Sequence, residues 1–475
     1  MVSERLRADL CVIGAGSGGL SVAAGASQMG ANTILIEKGL MGGDCLNFGC
    51  IPSKALLAAA REAQAIRRAD RFGINPIEPQ VDFAKVHDHV HGVIAGIAPH
   101  DSVERFTGLG VRVVQGHASF ISPREVEAAG HIIEARRFVV ATGSSPAIPP
   151  VPGLADTDFL TNETIFERTA LPEHLLVIGG GPIGLELAQA YRRLGAKVTV
   201  FEMLHTLSAD DNEVAEIVVT QLRREGVEIH EQTKVVCIEG TSPNVRIVAQ
   251  GPQGDVTVNG SHILVAAGRA PNVEGIGLAA AGIDYSPQGI KVDDRLRTTN
   301  RKTFAIGDVA GHLQFTHVAG YHASVVLRNV LFPLKTRARH QNIPWVTFTD
   351  PELAHVGLHE GMISGQRDNI RVLRWPFSEN DRAMADRNDV GLIKVLTNKK
   401  GRILGATIVG AHAGELISPW VLALNQGLKI SAMASLIAPY PTYSEVSKRA
   451  AGSFYTPTLF GPRMQKLVRL LSRLP

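Results

Sequence analysis

Two cysteines with four residues between them stand in the run Gly42-Gly43-Asp44-Cys45-Leu46-Asn47-Phe48-Gly49-Cys50-Ile51-Pro52-Ser53-Lys54. Such a pair can cycle between dithiol and disulfide, share a metal ion, or lie inert in a core. On a regular helix these positions differ by ~7.5 Å of rise alone, whereas a disulfide needs Cα atoms within roughly 4.4–6.8 Å. A bridge between Cys45 and Cys50 therefore requires irregular backbone, which Gly49 can supply. Pro52 suits the first turn of a helix. Cys50 would then sit at that helix's N-terminus, where the dipole favours a thiolate. Lys54, four residues on, would lie on the same face. Two cysteines alone do not complete a zinc site, so no residue is assigned to a metal. The remaining two cysteines, Cys11 and Cys237, lie in strand-like runs and read as core residues.

The elements that could bring a redox partner to these sulfurs occur twice. A short apolar strand at 9–13 runs into Gly14-Ala15-Gly16-Ser17-Gly18-Gly19, then a small-residue helix and a second strand at 33–36 ending in Glu37. Later, 175–178 runs into Gly179-Gly180-Gly181-Pro182-Ile183-Gly184, then a helix and a strand at 197–201 ending in Glu202. The acid follows the first glycine at the same distance in both units. In this motif the first glycine permits a tight turn, the second lets backbone approach a pyrophosphate, and the third allows close helix–strand packing. The helix N-terminus meets the phosphates and the acid meets an adenosine ribose. Two copies in identical context predict two dinucleotide sites. Glu202 favours a free 2′-hydroxyl, and Met203-Leu204-His205 offers no arginine for a 2′-phosphate, so NADH is expected over NADPH.

The bulk properties suit a multidomain enzyme. A chain of 475 residues is too long for one core, and 45% hydrophobic with 20% charged residues is ordinary for a globular protein. A net charge of +3 and an aromatic content of 5% give no basis for a nucleic-acid partner. The N-terminus has charges of both signs and no apolar run, strand-like sequence begins near Ala8, and no segment approaches the ~20 apolar residues of a membrane span. The protein is expected to be cytoplasmic. Past residue 340 the texture changes: 343–348, 371–375, 392–397 and 403–409 read as strands, with helices at 414–426 and after Ser444.

Together these residues resemble the flavoprotein pyridine nucleotide-disulfide oxidoreductase family, whose members include dihydrolipoyl dehydrogenase and mercuric reductase. The likeness extends to Ala141-Thr142-Gly143, Gly268-Arg269-Ala270-Pro271-Asn272, Ala305-Ile306-Gly307-Asp308, Thr349-Asp350-Pro351-Glu352 and Gly414-Glu415-Leu416-Ile417. It implies an α/β fold with two Rossmann-like dinucleotide-binding domains and a C-terminal α+β dimerisation domain. The implied divisions are 1–148 with 275–338 for FAD, 149–274 for NAD, 339–458 for dimerisation and 459–475 for a basic amphipathic tail. Gly14, Gly16, Gly19, Glu37, His117, Ala118, Thr142, Gly143 and Asp308 would hold FAD, with His317 approaching its ring. Gly179, Gly181, Gly184, Glu202, Val236 and Gly268 would line the NAD(H) site, and Lys54 and Glu186 would pair beside the flavin and nicotinamide. The resemblance implies a hydride from NADH and an electron pair passed to a Cys45–Cys50 disulfide. Cys50 becomes the thiolate against the flavin, and Cys45 the thiol that meets a small-molecule or small-protein acceptor. It implies a homodimer in which Tyr440 and Glu445 of one subunit face Cys45 of the other.

Three features depart from that pattern. Tyr440 in Pro439-Tyr440-Pro441-Thr442-Tyr443-Ser444-Glu445 occupies the place of the family's catalytic histidine, and a phenol of pKa ~10 is a poor base where imidazole titrates near ~6.5. The end of the chain lacks the cysteine pair of mercuric reductases. Asp44 replaces a threonine, and would raise the Cys45 thiol pKa or else point away and cap a turn. Two further readings accompany the disulfide one: a flavin passing electrons directly to a quinone or metal, or a low-turnover redox sensor. The tail alternates Arg463, Lys466, Arg469 and Arg473 with Met464, Leu467, Val468, Leu471 and Leu474. A helix packed on its own protein is the expectation, and contact with an anionic membrane surface is the alternative.

Overall fold

The computed structural model describes residues 4–332, 335–363 and 369–473. Its first unit is built on the strands β1 (Glu4–Ile13), β2 (Thr33–Glu37), β3 (Arg112–Gln115), β4 (Ala118–Ser122), β5 (Glu125–Ala128) and β6 (His131–Val140). They lie in the order β3-β2-β1-β6-β5-β4, and Thr303–Ala305 joins β6 as a seventh strand. β1, β2, β3, β6 and Thr303–Ala305 are all parallel, so their carboxyl ends fall along one edge. That edge therefore carries Gly14, Glu37, Gly116, Ala141 and Ile306, which places the crevice of the sheet there. β1 begins at Glu4, earlier than the sequence suggested, because its first residues pair with His131–Glu134.

The helices that position the chemistry follow from these strands. They are α1 (Ser17–Gln28), α2 (Gly43–Asn47), α3 (Cys50–Arg67), α4 (Phe83–Ile97), α5 (Val103–Gly108), α6 (Pro182–Leu194), α7 (Asn212–Arg224) and α8 (Thr316–Leu331). α3 is apolar on one face only, burying Ala55, Leu56, Leu57, Ala60 and Ala63, and joins Leu185, Ala188 and Tyr191 of α6 in one core. Each Leu so buried contributes about 1.5–3 kcal/mol.

The second unit repeats the plan. Glu228–His230, Lys197–Phe201, His174–Ile178 and His262–Val265 form a parallel sheet in that order. Beside it Lys234–Thr241, Asn244–Gly251 and Gly254–Gly260 form an antiparallel three-stranded sheet. Cys237 belongs to this small sheet and corrects the expectation of a core residue. It is half-buried, at a register shift next to the exposed Val236, because one face of the sheet meets solvent. Cys11, in β1, is fully buried as expected.

The third unit is an antiparallel sheet in the order Trp345–Thr347, Glu352–Gly357, Ile403–Gly410, Leu392–Asn398, Ile370–Pro376. Glu352–Gly357 went unread in the sequence, where His355 breaks the apolar run. In the fold that imidazole is buried and bonded through Nδ1 to Thr407 Oγ1 at 2.7 Å. The helix expected over 414–426 divides into Ala413–Leu416 and Ser418–Asn425, with Pro419 in the first turn of the second.

Buried ion pairs lock the third unit onto the second. Lys394 Nζ, almost wholly buried, meets Asp211 Oδ1 at 2.7 Å, Glu213 Oε2 at 2.8 Å and Glu360 Oε2 at 2.9 Å. Arg193 of α6 bridges Glu225 and Asp350 at 2.7 and 2.8 Å. Among the described residues no helix is long and apolar enough to cross a membrane. The tail helix Pro462–Leu471 buries no residue against the described residues of its own chain. Leu474 and Pro475 lie outside the described residues.

Candidate active site

A cavity of about 930 Å³ runs along the carboxyl edge of the first sheet to the two cysteines. The glycines at its head behave as their positions demand. Gly14 has φ +102°, and a Cβ there would lie 2.4 Å from Ala141 O. A Cβ on Gly19 would sit 1.8 Å from Gly14 O, whereas one on Gly16 would meet nothing within 4 Å. So the first and third glycines close the turn, and the second faces open space of the kind a pyrophosphate takes. Gly179, Gly184 and Gly181 repeat the pattern, with distances of 2.4 Å to Ala266 O, 2.0 Å to Gly179 O, and open space. Glu37 accepts hydrogen bonds from Ala15 N at 2.6 Å and Gly39 N at 2.7 Å. Glu202 accepts from Gly180 N at 2.7 Å and Leu204 N at 2.8 Å. Each acid thereby braces its own glycine loop.

The sulfurs lie at the far end. α2 stops at Asn47, Phe48 and Gly49 break the helical path, and α3 restarts at Cys50. This is the irregular backbone that proximity of the two thiols requires. A Cβ at position 49 would crowd Asp44, lying 2.9 Å from its Oδ2 and 3.1 Å from its backbone oxygen. The neighbouring Cys45 thiol pulls the Cys50 pKa down to about 6 against the opposing effect of burial. Thr316 and the Lys54 charge assist. Thr316 Oγ1 is 3.4 Å from Cys50 Sγ, and Thr316 opens α8, so the positive ends of two helices converge on one sulfur. The proximity of Cys50, together with burial, pushes the Cys45 thiol well above its usual range.

Asp44 turns from the sulfurs toward Arg269. Its Oδ2 lies 3.2 Å from Arg269 Nη2 and its Oδ1 accepts from Asn162 Nδ2 at 3.0 Å. Its charge still raises both thiols, as the smallest of the contributions. Arg269 continues the chain by donating to Ser144 Oγ and Ser144 O, each at 2.8 Å, and Ser144 Oγ donates to Asp308 Oδ2 at 2.6 Å. Burial raises the Asp308 carboxyl, while Ser144 and Arg269 oppose the rise.

Beside the cysteines, Lys54 Nζ donates to Glu186 Oε2 at 2.8 Å. Glu186 is buried and accepts from Phe348 N through its other oxygen, also at 2.8 Å. Lys54 Nζ stands 4.4 Å above the Phe348 ring. Elements from all three units thus meet at one carboxylate.

The cavity brings together Gly14, Gly16, Glu37, Cys45, Cys50, Lys54, His117, Ala118, Thr142, Gly143, Glu186, Asp308 and His317. Gly19 lies beneath Gly14. Thr142 Oγ1 donates to Asn272 O at 2.8 Å, and the His117 and His317 Nε2 atoms lie 2.9 and 2.8 Å from Gly275 O and Pro344 O. Gly179, Gly181, Gly184, Glu202, Val236 and Gly268 lie outside this cavity, at or near the carboxyl edge of the second sheet. Tyr440 and Glu445 also lie away from it. Tyr440 is 71% exposed and donates to Asp381 Oδ2 at 3.0 Å, which holds its phenol above the usual value. Sequence reading passed over Thr316, Asn162, Ser144 and Phe348 and gave Arg269 no role. Thr316 and Phe348 adjoin segments already singled out, but Asn162 and Ser144 carry no signal before the chain folds.

The pyridine nucleotide-disulphide oxidoreductase family matches residues 8–323, and its dimerisation domain matches residues 343–451. Among curated proteins, a mercuric reductase of Streptomyces lividans is 34% identical over 454 residues, covering 94% of this chain and 96% of its own. A dihydrolipoyl dehydrogenase of Thermus scotoductus is 36% identical over 463 residues, covering 94% and 97%. Among solved structures, the HOCl-induced flavoprotein disulfide reductase RclA from Escherichia coli superposes with a TM-score of 0.84 at 26% identity, over 94% of this chain and 99% of that one.

Proposed function

The chain belongs to the pyridine nucleotide-disulphide oxidoreductase family, and we propose that Cys45 and Cys50 are the pair through which electrons from NADH pass to a disulfide or thiol-reactive acceptor. Members of the family use FAD and a nicotinamide nucleotide, and the dimerisation domain makes the chain a homodimer. Bound FAD would supply the carrier that takes a hydride from the nicotinamide and returns an electron pair to sulfur. The open face of Gly16 and the cavity behind it fit such a group, with Glu37, His117, Ala118, Thr142, Gly143 and Asp308 along its length and His317 near the sulfurs.

The observation that carries this reading is the placement of Cys45 and Cys50, with the Lys54–Glu186 pair and Thr316 beside them, in the cavity that the glycine loop heads. Cys45 must lose its proton before it can attack, an uphill transfer when the Cys50 thiolate beside it is the base. Cys45 then attacks one sulfur of an acceptor disulfide, forming a mixed disulfide and releasing one thiolate, which takes the proton from Cys50. Cys50 attacks Cys45 Sγ, the Cys45–Cys50 bond closes, and the second acceptor sulfur leaves as a thiolate that takes a proton from water. Two electrons move, and the step proceeds without the histidine that Tyr440 replaces. In the dimer, Tyr440 and Glu445 would face Cys45 from the other subunit, with the Tyr440 hydroxyl held by Asp381.

Anaerobic NADH titration of the FAD-loaded enzyme, followed by an acceptor screen, tests the proposal. Cys45→Ser and Cys50→Ser should each abolish turnover with the acceptor found. Undiminished turnover would instead support direct transfer from flavin to a quinone or metal. Glu202, held by Gly180 N and Leu204 N at the end of its strand, supports a preference for NADH. A higher kcat/KM with NADPH would contradict it.

The tail supports one further partner, an anionic lipid surface. Pro462–Leu471 sets Lys466 and Arg469 on the side opposite Met464, Leu467, Val468 and Leu471. Leu459, Phe460, Leu467, Val468, Leu470 and Leu471 are exposed, and no acidic residue follows Glu445. Full-length protein should float with vesicles containing phosphatidylglycerol, and protein ending at Tyr455 should not. Equal flotation, or a tail that instead stabilises the dimer in sedimentation, would refute membrane docking.

A further inference from the structure

The redox site leaves unused a second group of chemically capable side chains, on the outer side of the core that α3 shares with α4. His87 and His91, four residues apart on α4, present adjacent rings with centroids 4.2 Å apart. Glu167 closes the group from the short turn Ile165–Glu167, its Oε1 lying 3.8 Å from His91 Nε2. One ring nitrogen from each histidine and one carboxylate oxygen all fall within 4.8 Å of one another. None of the three lines the cavity of the cysteines.

Rigid supports hold these ligands. α4 is anchored by the buried Phe83 and Val90, by Phe83 packing on Tyr191 at 5.7 Å, and by His89 Nε2 at 3.2 Å from Ala55 O on α3. The turn bearing Glu167 is fixed by the buried Ile165 and Phe166 and by Tyr191 Oη donating to Ile165 O at 3.1 Å. Oxygen atoms also flank both rings: Phe166 O is 3.2 Å from His91 Nε2, and Asp88 Oδ1 is 3.3 Å from His87 Nδ1. Asp88 can take the Nδ1 proton of His87 and leave Nε2 for an ion, whereas His91 would exchange the Phe166 carbonyl for the ion at Nε2. Binding would need the Glu167 side chain, 59% exposed, to rotate and His91 Nε2 to turn from the Phe166 carbonyl. Ligands at ~2.0–2.1 Å from a tetrahedral ion stand roughly 3.4 Å apart, and these movements can draw the group to this spacing.

We propose that His87, His91 and Glu167 form a binding site for a divalent transition-metal ion such as Zn²⁺. Two imidazoles and one carboxylate suit zinc and its first-row neighbours rather than calcium or magnesium, which take oxygen ligands. The solvent side of Glu167 leaves the remaining positions to water. The bound ion would staple the turn at 165–167 to α4. Phe166 of that turn also lines the flavin cavity.

The test is calorimetric titration of ZnCl₂ into the FAD-loaded enzyme carrying Cys45→Ser and Cys50→Ser, so that the redox thiols cannot capture the ion. One equivalent per chain is expected, with affinity falling at least tenfold in His87→Ala and in His91→Ala. Because Glu167 is exposed, Glu167→Gln leaves the fold intact and should weaken binding as well. Substituting Cu²⁺ should give an electron paramagnetic resonance spectrum with nitrogen couplings that vanish in the double histidine variant. Absence of binding, or binding unchanged by the double variant with its flavin spectrum intact, would overturn the proposal.

Discussion

If the Cys45 thiol sets the reactivity of Cys50, replacing it by serine and by alanine should give different enzymes. Serine keeps an O–H donor facing the Cys50 thiolate, and alanine removes it. The hydrogen bond from Cys45 is the largest influence holding Cys50 at about 6. Hydrogen bonds to ionised groups contribute about 1.5–3 kcal/mol, and Cys50 reaches solvent, so the lower end, about 1 pK unit, is expected. Because the pKa is depressed, the thiolate is present above about 6 and is lost as pH falls through that value. Iodoacetamide labelling of the FAD-loaded variants across pH, with the Cys50 peptide quantified by mass spectrometry, reads this directly. Cys45→Ser should titrate near the native value and Cys45→Ala about one unit higher. Identical profiles, or a lower inflection in the alanine variant, would show that the helix ends and Lys54 suffice.

Glu186→Gln should leave the fold intact but slow flavin reduction by NADH about 10–100-fold, the kinetic equivalent of losing a charge-assisted hydrogen bond to Lys54; anaerobic stopped-flow would detect this, and a native rate would contradict it. Gly16→Ala should fold with reduced flavin content, since its methyl enters the open cradle, whereas Gly19→Ala should yield no folded protein, its methyl colliding with Gly14 O. Flavin absorbance and circular dichroism distinguish these outcomes. Lys394→Met strands three carboxylates around a buried position and should cost about 3–5 kcal/mol. A denaturation midpoint equal to the native one would show that Arg374, paired with Glu213 and Glu360 at 3.1 and 2.6 Å, suffices without Lys394.

Both nucleotide cradles were legible in the sequence because their function depends on backbone shape, which glycine spacing records directly. The Cys45-to-Lys54 segment was legible for a similar reason: Gly49 and Pro52 mark where helix must stop and start again. The Asp44–Arg269–Ser144–Asp308 chain was not, since its members are far apart in sequence and no local pattern ties a carboxylate to a distant guanidinium. Glu352–Gly357 escaped notice because His355, whose polarity Thr407 satisfies only after folding, interrupts the alternation that marks strands. The tail showed the opposite limit. Its two faces were plain in the sequence, but a wheel of side chains does not state what lies against the apolar one.

The carboxylate of Glu186 takes a cation from one fold unit and a peptide N–H from another while riding on a helix of a third. Grafting experiments would therefore find the enzyme indivisible. A chimera that borrows either nucleotide cradle whole, or exchanges the C-terminal sheet for a homologue's, inherits an ill-fitting junction unless Lys54, Glu186 and the backbone at Phe348 travel together. Recombination that respects the boundaries between the units would still cut through the chemistry, and successful hybrids should arise only from parents whose three-way corner already matches.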